Sequence, residues 1–303
     1  MPDEREILEK LRRRVILPPG SGVVAGIGDD CAIYRVRGSS EDLLFTTDLL
    51  VEDVHFRLAT HTPQALGHKA LARGLSDIAA MGGEPRFSLL SLAIRSDTTP
   101  AWIDRFYRGL LPLAERSGAP LAGGDLGHAA RLMCDIVVCG AVPRGTALRR
   151  SGARPGDAIY VSGLLGASAL GLARGKGAAF ARHLRPEPRL ALGRFLRTRL
   201  GATAAMDLSD GLSLDLARLC QSSGVSAAIE EPPRFRGASL EQALHGGEDY
   251  ELLFTVRPGT PVPPAYQDLP LTRIGTILKG SAGSVLLHGR PLAPLGYDHF
   301  RHL

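Results

Sequence analysis

No two of the four cysteines, Cys31, Cys134, Cys139 and Cys220, are spaced as a Cys-x-x-Cys pair. A zinc ribbon and a thioredoxin-like redox site are therefore set aside, and apolar or small neighbours suit reduced structural thiols. No apolar run approaches the roughly 18 residues needed to span a bilayer, and the opening Met-Pro-Asp-Glu-Arg-Glu is too charged for a signal peptide. A cytoplasmic protein with no membrane partner is expected. Aromatic residues make up 5% of the chain and lysine only four of the 36 basic residues. No basic run is interleaved with aromatics, so the net charge of +5 is read as solvated surface and attraction for small anions, not as a nucleic-acid footprint. A P-loop is also missing: Gly171-Leu-Ala-Arg-Gly-Lys-Gly177 has one residue too few between its glycines and no Ser or Thr after Lys176. Gly163-Leu-Leu-Gly-Ala-Ser-Ala-Leu-Gly171 lacks the dinucleotide-binding spacing and reads as a plain strand-to-helix turn.

What the chain does have is aspartate beside glycine or a small hydroxyl residue, repeatedly and near the ends of apolar runs. Asp207, Ser209 and Asp210 fall in Met206-Asp-Leu-Ser-Asp-Gly211, where a strand should turn into a helix; Asp29 and Asp30, Asp48, Asp77 and Asp125 sit in similar settings. One such Gly-Asp is ordinarily a turn. Their recurrence where open α/β sheets hold ligands makes a shared site the stronger reading. Clustered carboxylates repel one another in a poorly solvated cleft and need a neutralising partner. Oxygen donors without paired Cys or His favour Mg²⁺, which bridges protein carboxylates to substrate phosphates. Asp157, in Pro155-Gly156-Asp157 before a strand, reads instead as a turn residue replaceable by Asn.

At 303 residues with 44% apolar content, two domains with real cores are expected, 1–142 and 143–303, joined through the Arg-, Gly- and Pro-rich stretch 143–156. In the first, periodicity predicts a helix over 4–15, strands over 23–27, 32–36 and 43–47, and a helix opening at Thr62-Pro63 with Asp77 near its end. A strand over 87–94, a helix over 100–117 and strands over 120–122 and 132–142 follow. The second should hold strands over 158–161, 203–206, 250–256, 271–277 and 284–287, and helices over 164–173, 188–200 and 212–221. The fold class is mixed α/β.

The order of the motifs is itself distinctive. Gly26-Ile-Gly-Asp-Asp-Cys-Ala32, Thr46-Thr-Asp48 with His55-Phe56, Leu75-Ser-Asp77, Gly123-Gly-Asp125, Arg150-Ser-Gly-Ala153, Asp207-Leu-Ser-Asp-Gly-Leu212, Gly246-Gly-Glu-Asp-Tyr-Glu-Leu252 and Gly296-Tyr-Asp-His-Phe300 closely resemble the thiamine-monophosphate kinases, from about residue 23 to residue 300. Gly-Asp-Asp and Gly-Gly-Asp are shared across the aminoimidazole-ribonucleotide synthetase superfamily; the last two motifs make the narrower match. The resemblance implies transfer of the ATP γ-phosphoryl group to thiamine monophosphate with several Mg²⁺ ions. It also implies a two-domain aminoimidazole-ribonucleotide synthetase-like fold whose N-terminal sheet pairs across a homodimer.

By motif match, the resemblance puts Asp30, Thr46, Thr47, Asp48, Asp77, Asp125, Asp207 and Asp210 at metal positions. It puts Gly124, Asp125, Arg150 and Ser209 at nucleotide contacts, and His55, Glu248 and Tyr297 at substrate contacts. No covalent nucleophile or strong general base is expected, because the attacking oxygen belongs to a phosphate already ionised at neutral pH. The barrier is instead the approach of two anions, which calls for positioning and charge neutralisation. Glu248 would anchor the aminopyrimidine or balance the thiazolium charge. The stretch 227–244 is short and has no readable motif.

Two relatives within the superfamily are disfavoured. A selenophosphate synthetase would need a reactive Cys or selenocysteine in a glycine-rich N-terminal loop, and a hydrogenase-maturation protein a C-terminal Cys. The first 30 residues hold no Cys and the chain ends Arg301-His302-Leu303. A purine synthetase-like enzyme and a non-catalytic ATP and Mg²⁺ sensor remain the competing readings.

Overall fold

The computed structural model describes residues 4–297 and consists of two α/β halves, each built on one sheet. The first half runs α1 (Glu4–Arg14), β1 (Val23–Ala25), β2 (Ala32–Tyr34), β3 (Glu41–Val51), α2 (Pro63–Ala80), β4 (Glu84–Ile94), α3 (Pro100–Ser117), β5 (Leu121–His128) and β6 (Met133–Pro143). Its six strands are ordered β1-β2-β3-β6-β4-β5, antiparallel except for the β4–β5 pair. The second half runs β7 (Ala158–Ser162), α4 (Ala167–Arg174), α5 (Gly177–Leu184), α6 (Leu190–Phe195), a π-helical turn (Leu196–Leu200), β8 (Ala204–Asp207), α7 (Leu212–Ser223), β9 (Ser226–Ile229) and α8 (Leu240–His245). It closes with β10 (Leu252–Val256), β11 (Ala265–Tyr266), β12 (Leu269–Leu278), β13 (Val285–Leu287) and β14 (Arg290–Pro291). Its sheet has the order β14-β13-β9-β12-β7-β10-β8, with β11 beside β12.

Local chemistry explains why the two long helices start where they do. Thr62 Oγ1 accepts the Ala65 amide at 3.2 Å and Thr99 Oγ1 the Trp102 amide at 3.2 Å, each followed by a proline in the first turn. The two helices approach so closely that a Cβ on Gly67 would lie 2.1 Å from the Phe106 carbonyl oxygen. Across the β3–β6 ladder, Glu41 opposite Pro143 through Val51 opposite Met133, side chains alternate between faces. Leu44 and Thr46 are buried, whereas Leu43 and Phe45 are half-buried and Leu49 is exposed on the other face.

Leu44, Leu66, Leu75, Ile78, Phe106, Ile136 and Val138 belong to the first core; Ile159, Val161, Met206, Leu216, Leu219, Leu253 and Ile277 to the second. A third cluster joins the halves, packing Ala79 and Ala80 of α2 with Leu192, Leu196, Phe254 and Leu271.

Some elements differ from the expectation for identifiable reasons. β5 extends to His128 because its backbone pairs in parallel with β4, Leu89 opposite Gly123 through Ile94 opposite His128. Gly123-Gly-Asp125 therefore lies inside an edge strand instead of at a strand end. The helix expected over 188–200 divides into α6 and the π turn, capped by Gly201 at φ 64°. α5, α8 and β9 were not expected; they are four to eight residues long and too short for a clear hydrophobic period. Asp298, His299 and Phe300 of the last motif lie outside the described residues.

Candidate active site

Helix α2 is the spine of the site. Lys69, Arg73, Ser76 and Asp77 recur at i, i+4, i+7 and i+8, so they form one polar stripe on a helix whose other faces are packed. Each member reaches a carboxylate or hydroxyl from a different segment. Lys69 Nζ lies 2.9 Å from Glu248 Oε2, and Arg73 is ion-paired with Asp48 at 2.7 Å. Ser76 Oγ donates to Asp207 Oδ2 at 2.7 Å, and Thr46 Oγ1 donates to Asp77 Oδ2 at 2.5 Å. The stripe thereby ties β3 of the first half to β8 and the 246–250 segment of the second.

Around this stripe, Asp30, Asp77 and Asp207 bring one carboxylate oxygen each to within 4.8 Å of one another. Asp30 and Asp207 are buried, and Asp30 Oδ2 has no hydrogen-bond partner. The Arg150 guanidinium compensates only the other oxygen, donating to Asp30 Oδ1 at 2.6 Å. Burial and then mutual repulsion push the carboxyls of Asp77 and Asp207 well above the ordinary carboxylate range. Burial also raises Asp48, against the attraction of Arg73. A group of this kind holds several negative charges only with a cation among them. Its donors are all oxygens, and an orphaned buried carboxylate oxygen points to a missing partner; both fit a hard divalent ion.

The loop after β8 is fixed by its own backbone. Asp215 Oδ2 accepts the Asp210 and Gly211 amides, both at 3.0 Å, and Arg218 bridges Asp210 and Asp215. The Glu248 amide donates to the Ser209 carbonyl at 2.7 Å and the Tyr297 amide to the Asp210 carbonyl at 3.0 Å. These bonds carry Ser209, Asp210, Glu248 and Tyr297 to one wall of a cavity of about 600 Å³. Asp48, His55, Arg73, Asp77, Asp207 and Tyr250 line the same cavity. His55 Nδ1 accepts the Val51 amide at 3.0 Å, which assigns the ring proton of the neutral form to Nε2. Glu248 and Tyr250 take up left-handed backbone, φ 64° and 51°, a strain of the kind that accumulates at binding sites.

Three of the expected residues stand apart. Thr47 lies on the opposite face of β3 from Thr46 and its hydroxyl donates to Asp135 at 2.7 Å, because consecutive strand residues alternate. It does not join the acidic group through its side chain. Gly124 and Asp125 are on the edge strand; Gly124 shares a row with Leu90, Ile136 and Asp48, three strand spacings, or about 14 Å, from Asp48. Arg150, by contrast, reaches the acidic group through Asp30 and lies beside a second cavity of about 470 Å³, lined by Gly26, Gly28, Asp29, Arg149 and Ser151.

Lys69, Arg73, Ser76 and Asp215 were not among the expected site residues. For the first three a signal was available: with Asp77 they recur at helical spacing along one side of α2, opposite its apolar positions. Arg73 Nε is buried without a hydrogen-bond partner at the cavity wall.

Comparison with known proteins agrees with this geometry. Residues 28–142 match the family "AIR synthase related protein, N-terminal domain" and residues 154–288 "AIR synthase related protein, C-terminal domain". The thiamine-monophosphate kinase of Bacillus subtilis (strain 168) is 36% identical, with 99% of this chain and 100% of that protein covered. That of Escherichia coli (strain K12) is 39% identical over 92% of each. A solved structure described as AaThiL complexed with AMPPCP and TMP superposes with a TM-score of 0.86 at 34% identity, covering 98% of this chain and 97% of that one. With identity of this order along nearly its whole length, an acidic cleft between two AIR synthase-like halves and several of the family's motifs lining it, the chain belongs to the thiamine-monophosphate kinase family.

Proposed function

We propose that this chain transfers the γ-phosphoryl group of ATP directly to the phosphate of thiamine monophosphate, giving thiamine diphosphate and ADP. The observation that carries the reading is the convergence of Asp30, Asp77 and Asp207 beside a cavity that also presents His55, Glu248 and Tyr297. Asp30, Asp77 and Asp207 would hold Mg²⁺, with the Thr46 hydroxyl, Asp48 and Asp210 next to them. When bound, the metal supplies charge neutralisation for the two anionic reactants.

The chain's own groups do the rest by positioning. Arg73, at the cavity wall and paired with Asp48, brings a planar guanidinium that stays charged at any relevant pH toward the phosphates. His55, with its proton on Nε2, offers a donor without acting as a base. Arg150, Ser209, Gly124 and Asp125 stand as nucleotide contacts in this reading, and Tyr297 as a ring contact for the acceptor. No side chain needs to be phosphorylated, so a chiral γ-phosphorus should invert once.

The exposed or half-buried face of the first sheet, with Leu43, Phe45, Leu49, Leu89 and Val137 and the exposed edge residue Leu126, supports pairing with a second copy of the chain. None of the described helices is long and apolar enough to cross a membrane, and a cytoplasmic location is part of the proposal. The test is an ADP-release assay with thiamine monophosphate against ATP alone, with and without Mg²⁺. Metal-dependent conversion to thiamine diphosphate is expected, and phosphorylation of free thiamine with none of the monophosphate would refute the assignment.

A further inference from the structure

Behind the cavity wall lies a buried polar network that the phosphoryl chemistry does not use. Lys69 is fully buried, and its ammonium sits 2.9 Å from Glu248 Oε2 and 3.5 Å from His183 Nε2. His183 is itself buried, with Nδ1 2.9 Å from Ser168 Oγ and 3.3 Å from the same Glu248 Oε2. An ammonium has only donors, so Nε2 of His183 is the acceptor and Nδ1 carries the proton. Burial and then Lys69 push His183 down to about 3, which keeps the ring neutral. Glu248 is held down to about 2: burial opposes ionisation, and the charges of Lys69 and, behind it, Arg73 overcome it. The charge count of the group is thus one ammonium against one carboxylate.

Two uses of Glu248 would follow from different charge states. A carboxylate with no counter-ion attracts a cationic ring. A carboxylate already matched by a buried ammonium contributes little net charge and acts as a directed hydrogen-bond acceptor. Both contacts to Glu248 fall on Oε2, while its side chain keeps 22% exposure at the cavity it lines. Oε1 is therefore the oxygen available to a ligand. Beside it, His61 and Phe180 put ring surfaces on the cavity wall, with centroids 6.5 Å apart and planes at 79°. That is a surface against which a flat heteroaromatic ring can lie.

We propose that Lys69 and His183 are positioning residues that occupy Oε2 of Glu248, so that Oε1 selects the acceptor substrate by accepting a hydrogen bond from the amino group of its pyrimidine ring and not by pairing with the cationic thiazolium. The inference rests on the reading of thiamine monophosphate as acceptor. An acceptor-only oxygen facing a carbonyl in place of the amino group leaves two buried acceptors opposed, and polar sites of this kind discriminate strongly.

The experiment compares kcat/KM for thiamine monophosphate with that for its 4-oxo analogue, in which a carbonyl replaces the amino group. In the unmodified protein the amino substrate should be preferred by about 10²-fold or more. In Glu248→Gln the side-chain amide can turn its N–H₂ to a carbonyl, and the preference should fall at least tenfold. In Lys69→Met the KM for thiamine monophosphate should rise about tenfold or more with a much smaller change in kcat, since the released Glu248 takes up a proton and loses its acceptor role. A counter-ion role makes the opposite forecast: removing the competing ammonium tightens the cationic substrate and leaves the amino preference unchanged. Either of those results overturns the inference. If Lys69→Met does not fold, the ratio in Glu248→Gln decides alone. Absence of turnover in the unmodified protein removes the acceptor assignment and this inference with it, whereas normal turnover with an unchanged ratio in Glu248→Gln removes only the inference.

Discussion

Ser76, in the second turn from the end of α2, donates a hydrogen bond of 2.7 Å to Asp207 at the end of β8, across 131 residues of chain. Both side chains are buried, so the bond fixes one carboxylate of the acidic group from the other half of the molecule. Ser76→Ala should leave Asp207 Oδ2 without that donor and cost about 1–3 kcal/mol of stability. It should also raise the Mg²⁺ concentration needed for half-maximal turnover several-fold, because the carboxylate is no longer held in one rotamer. Thermal melts and a Mg²⁺ titration of activity check both; a normal Mg²⁺ dependence in a folded Ser76→Ala protein would remove Asp207 from the metal site.

Asp207→Asn and Asp210→Asn should lower turnover by about 10²-fold or more while the fold survives, since each replaces an anionic ligand by a neutral amide. Asp157→Asn is the contrast: Asp157 is the turn residue expected of it, but a buried one. Its Oδ2 accepts the Arg154 amide at 3.0 Å and the Thr203 hydroxyl at 2.7 Å. Asn keeps one oxygen for these donors, so about 1 kcal/mol of stability should go and turnover should stay. Steady-state rates beside melts separate the two classes, and equal kinetic damage at Asp157 would dissolve the distinction.

His183 ties stability to pH. Its pKa is pushed down to about 3 by burial and Lys69, whereas an unfolded-chain histidine titrates near 6.5. The folded ring stays neutral where the unfolded one binds a proton, so its contribution is complete above pH 6.5 and is lost as pH falls below it. At pH 5 the loss is about 2 kcal/mol for this one residue. His183→Asn should therefore show a shallower fall in denaturant stability between pH 7.5 and pH 5 than the unmodified protein. An identical slope would mean that the ring is not buried neutral.

Much of this was readable from residue patterns, and the exceptions share a cause. Thr62-Pro63 and Thr99-Pro100 place the starts of α2 and α3 because capping is local chemistry. Aspartates near glycines, beside small hydroxyl residues or at the ends of apolar runs pointed to Asp30, Asp77 and Asp207 because such settings mark the ends of strands and helices. What local pattern cannot carry is pairing across the chain. Lys69 looked like an ordinary helix residue until Glu248, 179 positions away, was found against it. Thr47 looked equivalent to Thr46 within the motif, although alternation along the strand expected over 43–47 already sends their side chains to opposite faces. The extent of β5 likewise depends on β4 and not on its own glycines.

Gly193 tests whether the two halves must stay in register for the site to work. Its position in α6 packs against the end of α2 so tightly that a Cβ would lie 1.9 Å from the Ala79 carbonyl oxygen. No side-chain rotation relieves a clash with backbone, so α6 would have to move away from the helix that carries Ser76 and Asp77. In an exposed helix, Gly→Ala gains about 1 kcal/mol from helix propensity. Here the clash should outweigh that gain, costing about 1–3 kcal/mol in the manner of overpacked cores. The same displacement should separate Asp77 of α2 from Asp207 of β8, so Mg²⁺-dependent turnover should fall further than the stability loss explains at a temperature where the variant is folded. Melts, together with a Mg²⁺ titration of activity at 20 °C below the variant's midpoint, measure the two effects independently. A Gly193→Ala protein as stable and as active as the unmodified one would mean that the α2–α6 contact is looser than the structure has it and does not set the geometry of the acidic group.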